Sequence, residues 1–308
     1  QVPRPAIGSD AFQEMDISGA VIPVTKHSYL VMDIKDLAKT IKEAFVIARS
    51  GRPGPVLVDI PKDLQAEEFD FIYPEEPIML PGDNPIKNDI DVKSLEEAAK
   101  LIANAERPVI LAGHGILLSG ASKEVIELSE KGDIPLSWTL LGSGAVPASH
   151  DLNMGMMGMH GEFAANNAIQ KADLLIACGM RFDDRVTGNT KTYSLNSKKI
   201  HIEIDPSEIN KNVPVDIALV GDLKTVLRKL LPVLDKQSNS KWIDSISKWH
   251  KESQSRDIIN MDTQMLYGAQ VISDIWKETN GDAIVVSDVG QHQMLEAQYY
   301  KHDEPNTL

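Results

Sequence analysis

The sequence contains a single cysteine, Cys178, among its 308 residues. An intrachain disulfide is therefore impossible, and a chain without disulfides is typical of a reducing compartment. The sequence also has no apolar run that approaches the ~20 residues needed by a membrane-spanning helix. From these two absences we expect a cytoplasmic protein with no membrane segment.

The chain also lacks a basic run that would offset its formal net charge of −14. Such an excess of negative charge repels phosphate backbones and acidic membrane surfaces, so nucleic acid is not an expected partner. The spacing of its histidine, cysteine and acidic residues fits no metal site. No nucleophile elbow is present either.

Short apolar strands alternate with helices through most of the chain. Helices are predicted at residues 34–49, 92–103, 120–131, 163–172, 223–231 and 266–279. Strands are predicted at residues 56–60, 108–113, 134–139, 173–179, 199–205, 216–221 and 283–290. Continuous apolar strands of this kind indicate parallel sheets covered by helices on both faces. The predicted fold class is α/β, with three-layer domains: one complete, doubly wound, Rossmann-like central domain flanked by partial α/β domains.

Two segments interrupt this pattern. Residues 67–88 lose periodicity and fill with proline and acidic residues, which predicts a linker and a boundary near residues 77–85. Residues 234–262 contain a polar amphipathic helix that we interpret as a second linker. Both chain ends look like cuts through larger units, so we expect a fragment with domains at 1–78, 79–260 and 261–308.

Doubly wound sheets bind ligands at the carboxyl ends of their strands, where the strand order reverses. Gly113 and Gly115 follow a predicted strand, where glycine lets the backbone approach a pyrophosphate. The alternative is that these glycines serve only to turn the chain. Residues 158–161 (GMHG) form either a ligand loop or a loop with Met159 packed inward.

The run GMRFDDRVTG follows another buried strand. Arg181 and Arg185 enclose Asp183 and Asp184 at a position where we expect no structural need for four charges. Arginine binds phosphate oxygens in a forked geometry, and carboxylates can orient it. The alternative is an exposed cluster of ion pairs.

Acidic residues end the next strand. Glu203 and Asp205 stand where the dinucleotide fold places an acid that accepts ribose hydroxyls. The sheet therefore favours a dinucleotide such as FAD or NAD, although no hydride-transfer site accompanies it. After the last predicted strand, Gly290 and Gln291 are candidates for phosphate contacts. His292 is a candidate for phosphate contact or acid–base chemistry, but no carboxylate pairs with it nearby in sequence.

Seven motifs occur in order along the chain: SDAFQE, PVTKHSYLV, SGRPGPVLVDIPKD, GMMGMHG, RFDDRVTG, HIEIDPSEI and SDVGQHQM. Together they resemble the catalytic large subunit of acetohydroxyacid synthase (acetolactate synthase), a thiamine-diphosphate-dependent enzyme. The resemblance covers essentially the whole chain. It implies the C-terminal part of a pyrimidine-binding domain (1–78), a complete FAD-binding domain (79–260) and the start of a diphosphate-binding domain (261–308).

The resemblance also implies site residues. Those expected to contact FAD are Arg52, Gly113, His114, Gly115, Thr139, Leu140, Leu141, Met159, His160, Gly179, Arg181, Asp183, Arg185, Val186, Glu203, Ile204, Glu208 and Asp222. Those expected to contact thiamine diphosphate are Val289, Gly290, Gln291 and His292. Those expected to line the substrate channel or the partner's active site are Gln13, Lys26 and Lys62.

The chain departs from the family pattern at two of these positions. The family usually has aspartate where this chain has Glu203, and often glycine where it has His114, so a contact at His114 would be made through the backbone. The family's catalytic glutamate is expected before Gln1, and its magnesium-binding segment after Leu308. We therefore assign no metal ligand within the chain and expect the fragment alone to be inactive.

The activity that the resemblance implies is that of a transferase in branched-chain amino-acid biosynthesis. Such an enzyme decarboxylates pyruvate and joins the two-carbon unit to a second 2-keto acid, either pyruvate or 2-ketobutyrate. Its cofactors are thiamine diphosphate, Mg²⁺ and FAD, the last with a structural role. Expected partners are a second copy in a homodimer or homotetramer and a regulatory small subunit. The alternatives are another carboligase or decarboxylase, such as glyoxylate carboligase, and a non-catalytic nucleotide-binding module.

Overall fold

The computed structural model describes residues 2–78, 90–261 and 264–308. The chain divides into two compact units, Gln1–Ile86 and Lys87–Leu308. Of the predicted linker, residues 67–78 contain no helix or strand. The remainder of that linker, and with it most of the predicted boundary, lies outside the described residues. In the part of the chain that is described, no helix has the length and apolarity needed to span a bilayer.

The first unit is a small α/β segment. Its helices and strands are α1 (Ile17–Ala20), β1 (His27–Leu30), α2 (Leu37–Arg49) and β2 (Val56–Asp59). β1 and β2 pair in parallel, and the chain runs from one to the other through α2. The predicted first helix starts as a 3₁₀ turn, Ile34–Asp36, before α2, and Gly51 adopts the expected left-handed backbone, with φ of +52°. β1 is short and half exposed, and the sequence pattern did not predict it.

The second unit is built on one sheet. Its strands are β3 (Pro108–Ala112), β4 (Leu136–Trp138), β5 (Asn153–Met156), β6 (Leu174–Cys178), β7 (Lys198–Glu203) and β8 (Ile217–Val220). Its helices are α3 (Val92–Asn104), α4 (Gly115–Ser119), α5 (Ser122–Gly132), α6 (Phe163–Lys171), α7 (Asp184–Thr187), α8 (Leu223–Leu230), α9 (Ser240–Gln254), α10 (Gly268–Glu278) and α11 (Gln291–Tyr299).

The six strands are all parallel and lie in the order β5-β4-β3-β6-β7-β8. From β3, the strands β4 and β5 follow in order toward one edge of the sheet. The next strand, β6, pairs with the other side of β3, and β7 and β8 extend the sheet toward the opposite edge. The order reverses between β3 and β6. This is the doubly wound arrangement that the alternating pattern predicts, and the predicted α/β fold class is confirmed.

Alternate residues of the central strands enter two separate cores. In β3, Ile110 and Ala112 pack with α3, α5 and α8, whereas Val109 and Leu111 pack with α6 and α9. A strand buried on both faces needs apolar residues at every position, which explains why these strands are continuous hydrophobic runs. The unit has three layers, with the sheet in the middle.

The structure corrects three expectations about individual elements. The helix interpreted as a second linker is α9, and it packs onto the sheet: Trp242 and Ile246 are buried, and the Trp242 indole donates to the carbonyl of Pro108 (3.1 Å). β5 was not predicted, because NMGM is short and contains a glycine. Residues 283–290 do not form the predicted strand. Ile284 and Val286 stay exposed, and no described strand pairs with them.

Candidate cofactor-binding site

The glycine loops after β3 and β6 cross where the strand order reverses. The Gly113 amide donates to the carbonyl of Cys178 (3.0 Å), and the Gly115 amide donates to that of Gly179 (2.9 Å). A Cβ atom on Gly113 would lie 2.3 Å from the Gly179 carbonyl oxygen, so no side chain fits between the loops. The helix α4 starts at this crossing, on the edge of the sheet where doubly wound folds bind their ligands.

The loop after β5 is joined to the loop after β6. The Met159 amide donates to the Arg185 carbonyl (2.9 Å), and the Arg185 guanidinium approaches the Met159 sulfur (3.5 Å). From α6, the Asn166 side chain accepts from the amide of Gly158 (3.0 Å) and donates to its carbonyl (2.9 Å). Met159 is 56% exposed, so the alternative in which it packs inward is wrong.

The four charges after β6 include one with a structural role. Asp183 accepts from the amides of Arg185 and Val186 (both 3.1 Å) and thereby caps α7. Our expectation that the fold has no structural need for charge here is therefore wrong for Asp183. Arg181 lies 3.7 Å from Asp183, and Arg185 lies 3.8 Å from Asp184. Because exposed pairs at such distances are held only loosely, both guanidinium groups can turn toward an anionic ligand.

The acids at the end of β7 are mostly buried. Glu203 is 8% exposed, and its Oε1 accepts from the amides of Ile204 (3.0 Å) and Asp205 (3.2 Å). Glu208 is also buried and pairs with Lys211 at 2.9 Å. The Glu203 carboxylate therefore fixes the turn that leaves β7, in addition to any ribose contact.

Asp222, after β8, ties two segments together. Its carboxylate accepts from the Thr225 amide (2.9 Å), which caps α8, and from the Ser119 hydroxyl (2.7 Å) at the end of α4. Burial acts to raise the pKa of Asp222, but the hydrogen bonds from Ser119 and Thr225 outweigh it and hold that pKa below its ordinary value. The group therefore stays ionised at neutral pH.

The loop after β4 lies beside the glycine crossing. Thr139 donates its amide to the carbonyl of Ala112 (2.9 Å), and a 3₁₀ turn over Leu140–Gly142 follows. The His114 Nδ1 lies 2.9 Å from the Leu141 carbonyl oxygen. Because a carbonyl can only accept, Nδ1 carries the proton. The side chain of His114 thus joins two of the loops, a contact that we did not predict from the sequence.

A cavity of about 430 Å³ connects these loops with the predicted thiamine-diphosphate segment. Its walls are mainly apolar, and Arg185 and His160 add basic groups. The lining residues are Thr139, Leu140, Met156, Met157, Met159, His160, Arg185, Val186, Val289, Gln293, Met294 and Ala297. A volume of this size and a lining of this kind suit a small organic ligand. Val289 is followed by Gly290, which precedes the first turn of α11, so the amides of that turn are suited to anion binding.

Every predicted FAD-contact residue of the second unit stands at or just after the carboxyl end of one of the six strands. Four other predicted residues belong to the first unit: Gln13, Lys26, Arg52 and Lys62. There the Lys26 ammonium donates to the carbonyls of Ile47 (2.6 Å) and Ser50 and so closes the end of α2.

A larger cavity, of about 970 Å³, lies along α2 in the first unit. Apolar side chains such as Phe45 and Phe71 form much of its lining, and none of its lining residues is a predicted site residue. We therefore place the candidate site at the sheet, where the predicted loops converge.

Several residues that shape the site were missed by sequence reasoning. They hold the loops rather than face a ligand, and they are Ser119, Asn166, His201, Asn212 and Gln298. Gln298 of α11 donates to the His160 carbonyl (2.7 Å), which links the last helix to the loop after β5. The only signal in the sequence was a polar residue inside an otherwise apolar element, as for His201 in β7.

Comparisons with known proteins agree with the motifs. Residues 95–230 match the family described as thiamine pyrophosphate enzyme, central domain. The chain is 43% identical to the acetolactate synthase large subunit of Corynebacterium glutamicum, over 100% of this chain and 49% of that protein. It is 42% identical to the probable acetolactate synthase large subunit of Methanocaldococcus jannaschii, over 100% of this chain and 54% of that protein.

The acetolactate synthase isozyme 3 large subunit of Escherichia coli is 39% identical over 99% of this chain, which corresponds to 54% of that protein. The chain thus spans about half the length of the curated relatives that it matches. The predicted resemblance to the acetolactate synthase large subunit is confirmed.

Proposed function

We propose that this chain is an internal part of the catalytic large subunit of an acetolactate synthase. The proposed reaction is decarboxylation of pyruvate and transfer of the two-carbon unit to pyruvate or 2-ketobutyrate, a step toward the branched-chain amino acids. The observation that carries the proposal is continuous similarity, at 39–43% identity, to large subunits of that name over 99–100% of the chain. The match of residues 95–230 to a thiamine pyrophosphate enzyme domain supports it.

FAD is the cofactor that we propose for the strand-end loops of the sheet. The glycine crossing at Gly113 and Gly179 supports a pyrophosphate site, because it brings two loop backbones to the point where the strand order reverses. Arg181 and Arg185 supply exposed positive charge for phosphate oxygens. Glu203 supplies an acid at the strand end suited to a ribose. FAD bound here would serve structure rather than electron transfer.

Thiamine diphosphate is proposed for the segment that precedes and begins α11. The amides at the start of that helix favour an anion, and Val289 and Met294 contribute apolar surface to the cavity beside it. When bound, thiamine diphosphate supplies the electron sink for decarboxylation. The chain's own side chains orient the cofactors and exclude water, through apolar walls such as Met156 and Met157. Mg²⁺ is proposed as the third cofactor, without a ligand among the described residues.

We propose three domains with the boundaries given above, 1–78, 79–260 and 261–308. The word "large subunit" in the relatives' names supports a regulatory small subunit as a partner. A homodimer or homotetramer is proposed for the large subunit itself, together with a cytoplasmic location.

The test is an assay of the full-length protein with all three cofactors. We expect acetolactate from pyruvate alone and 2-aceto-2-hydroxybutyrate when 2-ketobutyrate is added. Condensation of glyoxylate in preference to pyruvate would replace this proposal with a glyoxylate carboligase. Tight FAD binding without turnover of either acid would instead favour a nucleotide-binding module.

A further inference from the structure

Arg181 lies in the loop of residues 179–183, which follows β6. Its two neighbours in the sequence both have buried side chains. Met180 and Phe182 are each 4% exposed, whereas the side chain of Arg181 between them is 51% exposed. The direction of Arg181 is therefore set by how its two neighbours are held.

Side chains from two other segments hold the backbone on both sides of Arg181. The Nε2 of His201, on β7, lies 2.8 Å from the Met180 carbonyl oxygen. The side-chain amide (Nδ2) of Asn212, between β7 and β8, donates to the Phe182 carbonyl (2.9 Å). Because the Met180 and Phe182 carbonyls are both held, the backbone on either side of Arg181 is restrained, and this limits the direction in which its side chain leaves the loop.

We infer that His201 and Asn212 are positioning residues that aim Arg181 at an anionic group of the ligand. This inference rests on the proposed function, which makes FAD that ligand. Asp183 completes the arrangement, because it caps α7 immediately after the loop and lies 3.7 Å from the Arg181 guanidinium.

The chemistry of His201 supports this role. Its side chain is wholly buried, on the face of β7 that also carries Lys199 and Glu203. The Phe182 ring packs edge-on against the His201 ring, with 5.1 Å between the two ring centroids. Because a carbonyl only accepts, the proton lies on Nε2, and Nδ1 is an acceptor with no hydrogen-bond partner among the described residues. An apolar side chain at this position would avoid the cost of burying an unpaired acceptor. What histidine offers in return is the hydrogen bond that its Nε2 donates to the Met180 carbonyl.

Lys199 provides a matched control on the same strand. It is also buried, and its ammonium donates to the carbonyls of Ser194 (3.1 Å) and Ser197 (2.9 Å). That loop carries no predicted site residue. Replacing Lys199 therefore removes buried hydrogen bonds from the same strand without releasing Arg181.

The experiment measures FAD affinity in the full-length protein by flavin fluorescence, with thermal unfolding of each variant alongside. His201→Leu should weaken FAD binding by roughly tenfold, the equivalent of losing one well-placed contact. His201→Gln should restore most of the affinity, because its amide can donate to the same carbonyl. Lys199→Met should lower the melting temperature at least as much and leave the affinity within about twofold. In the Arg181→Ala background, His201→Leu should have no further effect on affinity.

Two results would overturn the inference while leaving the proposed function intact. One is an unchanged FAD affinity in His201→Leu when Arg181→Ala weakens binding. The other is the same loss from His201→Leu with and without Arg181, which would mean a general structural effect. Should His201→Leu not fold, Asn212→Ala makes the same test, since Asn212 is exposed. Wild-type protein that binds no FAD would overturn the proposed function and the inference together.

Discussion

Gly158 marks a point where two site loops touch, and replacing it by alanine tests that contact. Its φ is +96°, a backbone conformation that side-chain-bearing residues rarely adopt. A Cβ atom there would lie 2.5 Å from the Arg185 carbonyl oxygen and 3.2 Å from the Val186 Cα. These are backbone atoms, so the clash cannot be relieved by rotating a side chain.

The expected cost has two parts. Backbone strain at a positive φ costs about 1–3 kcal/mol, and forcing an extra carbon into a packed contact costs about 1–3 kcal/mol. The middle of the two ranges together is about 4 kcal/mol, which would lower the melting temperature of a domain of this size by roughly 8–16 °C. The loops after β5 and β6 should separate, so flavin occupancy should fall as well.

Gly120→Ala is the matched control. Gly120 also has a positive φ, of +62°, but the nearest atom to its added Cβ is the Lys224 ammonium at 3.9 Å. Only the strain remains, about 1–3 kcal/mol. Thermal and urea unfolding of the two variants should therefore differ by about 2 kcal/mol. Equal stabilities for Gly158→Ala and Gly120→Ala would refute the loop contact.

Three further predictions concern the core. Trp242→Ala should lower the free energy of unfolding by about 3–5 kcal/mol. Trp242→Phe should lower it by about 1–2 kcal/mol, mainly through the lost hydrogen bond to the Pro108 carbonyl. Equal losses for the two variants in urea unfolding would contradict the packing of α9 onto the sheet. Burial raises the pKa of Cys178 to about 12, so iodoacetamide should label it at mildly alkaline pH only after denaturation, as read by mass spectrometry. Burial lowers the pKa of His201, against the opposing effects of its Met180 hydrogen bond and of Glu208. The unfolded chain then binds the proton more readily, so stability should decline as pH falls below about 6.5, and unfolding curves of His201→Phe should show a smaller decline.

The sequence predicted the central sheet because its strands are buried on both faces. In β6, Leu175 and Ile176 enter different cores, so no position tolerates a polar residue and the strand stands out as an apolar run. The N-caps of α3 and α8, Asp91 and Asp222, were also predictable, because a capping acid directly precedes an amphipathic pattern.

The elements that sequence reasoning missed depend on contacts distant in sequence. α9 is polar along most of its length, and only Trp242 and Ile246 are fully buried, so its pattern alone did not distinguish a packed helix from a linker. Residues 283–290 have the composition of a strand, but a strand also needs a neighbour to pair with. For the site, the sequence predicted which loops converge. The side chains that hold them, such as Asn166 and Asn212, carry no local signal, because their partners lie in other segments.

The most direct test of the account measures flavin content in the purified full-length protein and in two arginine variants. The wild type should hold one FAD per chain, and Arg181→Ala should lose both the FAD and acetolactate formation. Arg256→Ala should keep both, because Arg256 lies at the surface just after α9 and pairs with Glu252 of that helix at 3.0 Å. Unchanged flavin occupancy in Arg181→Ala would contradict the assignment of the strand-end loops as the FAD site.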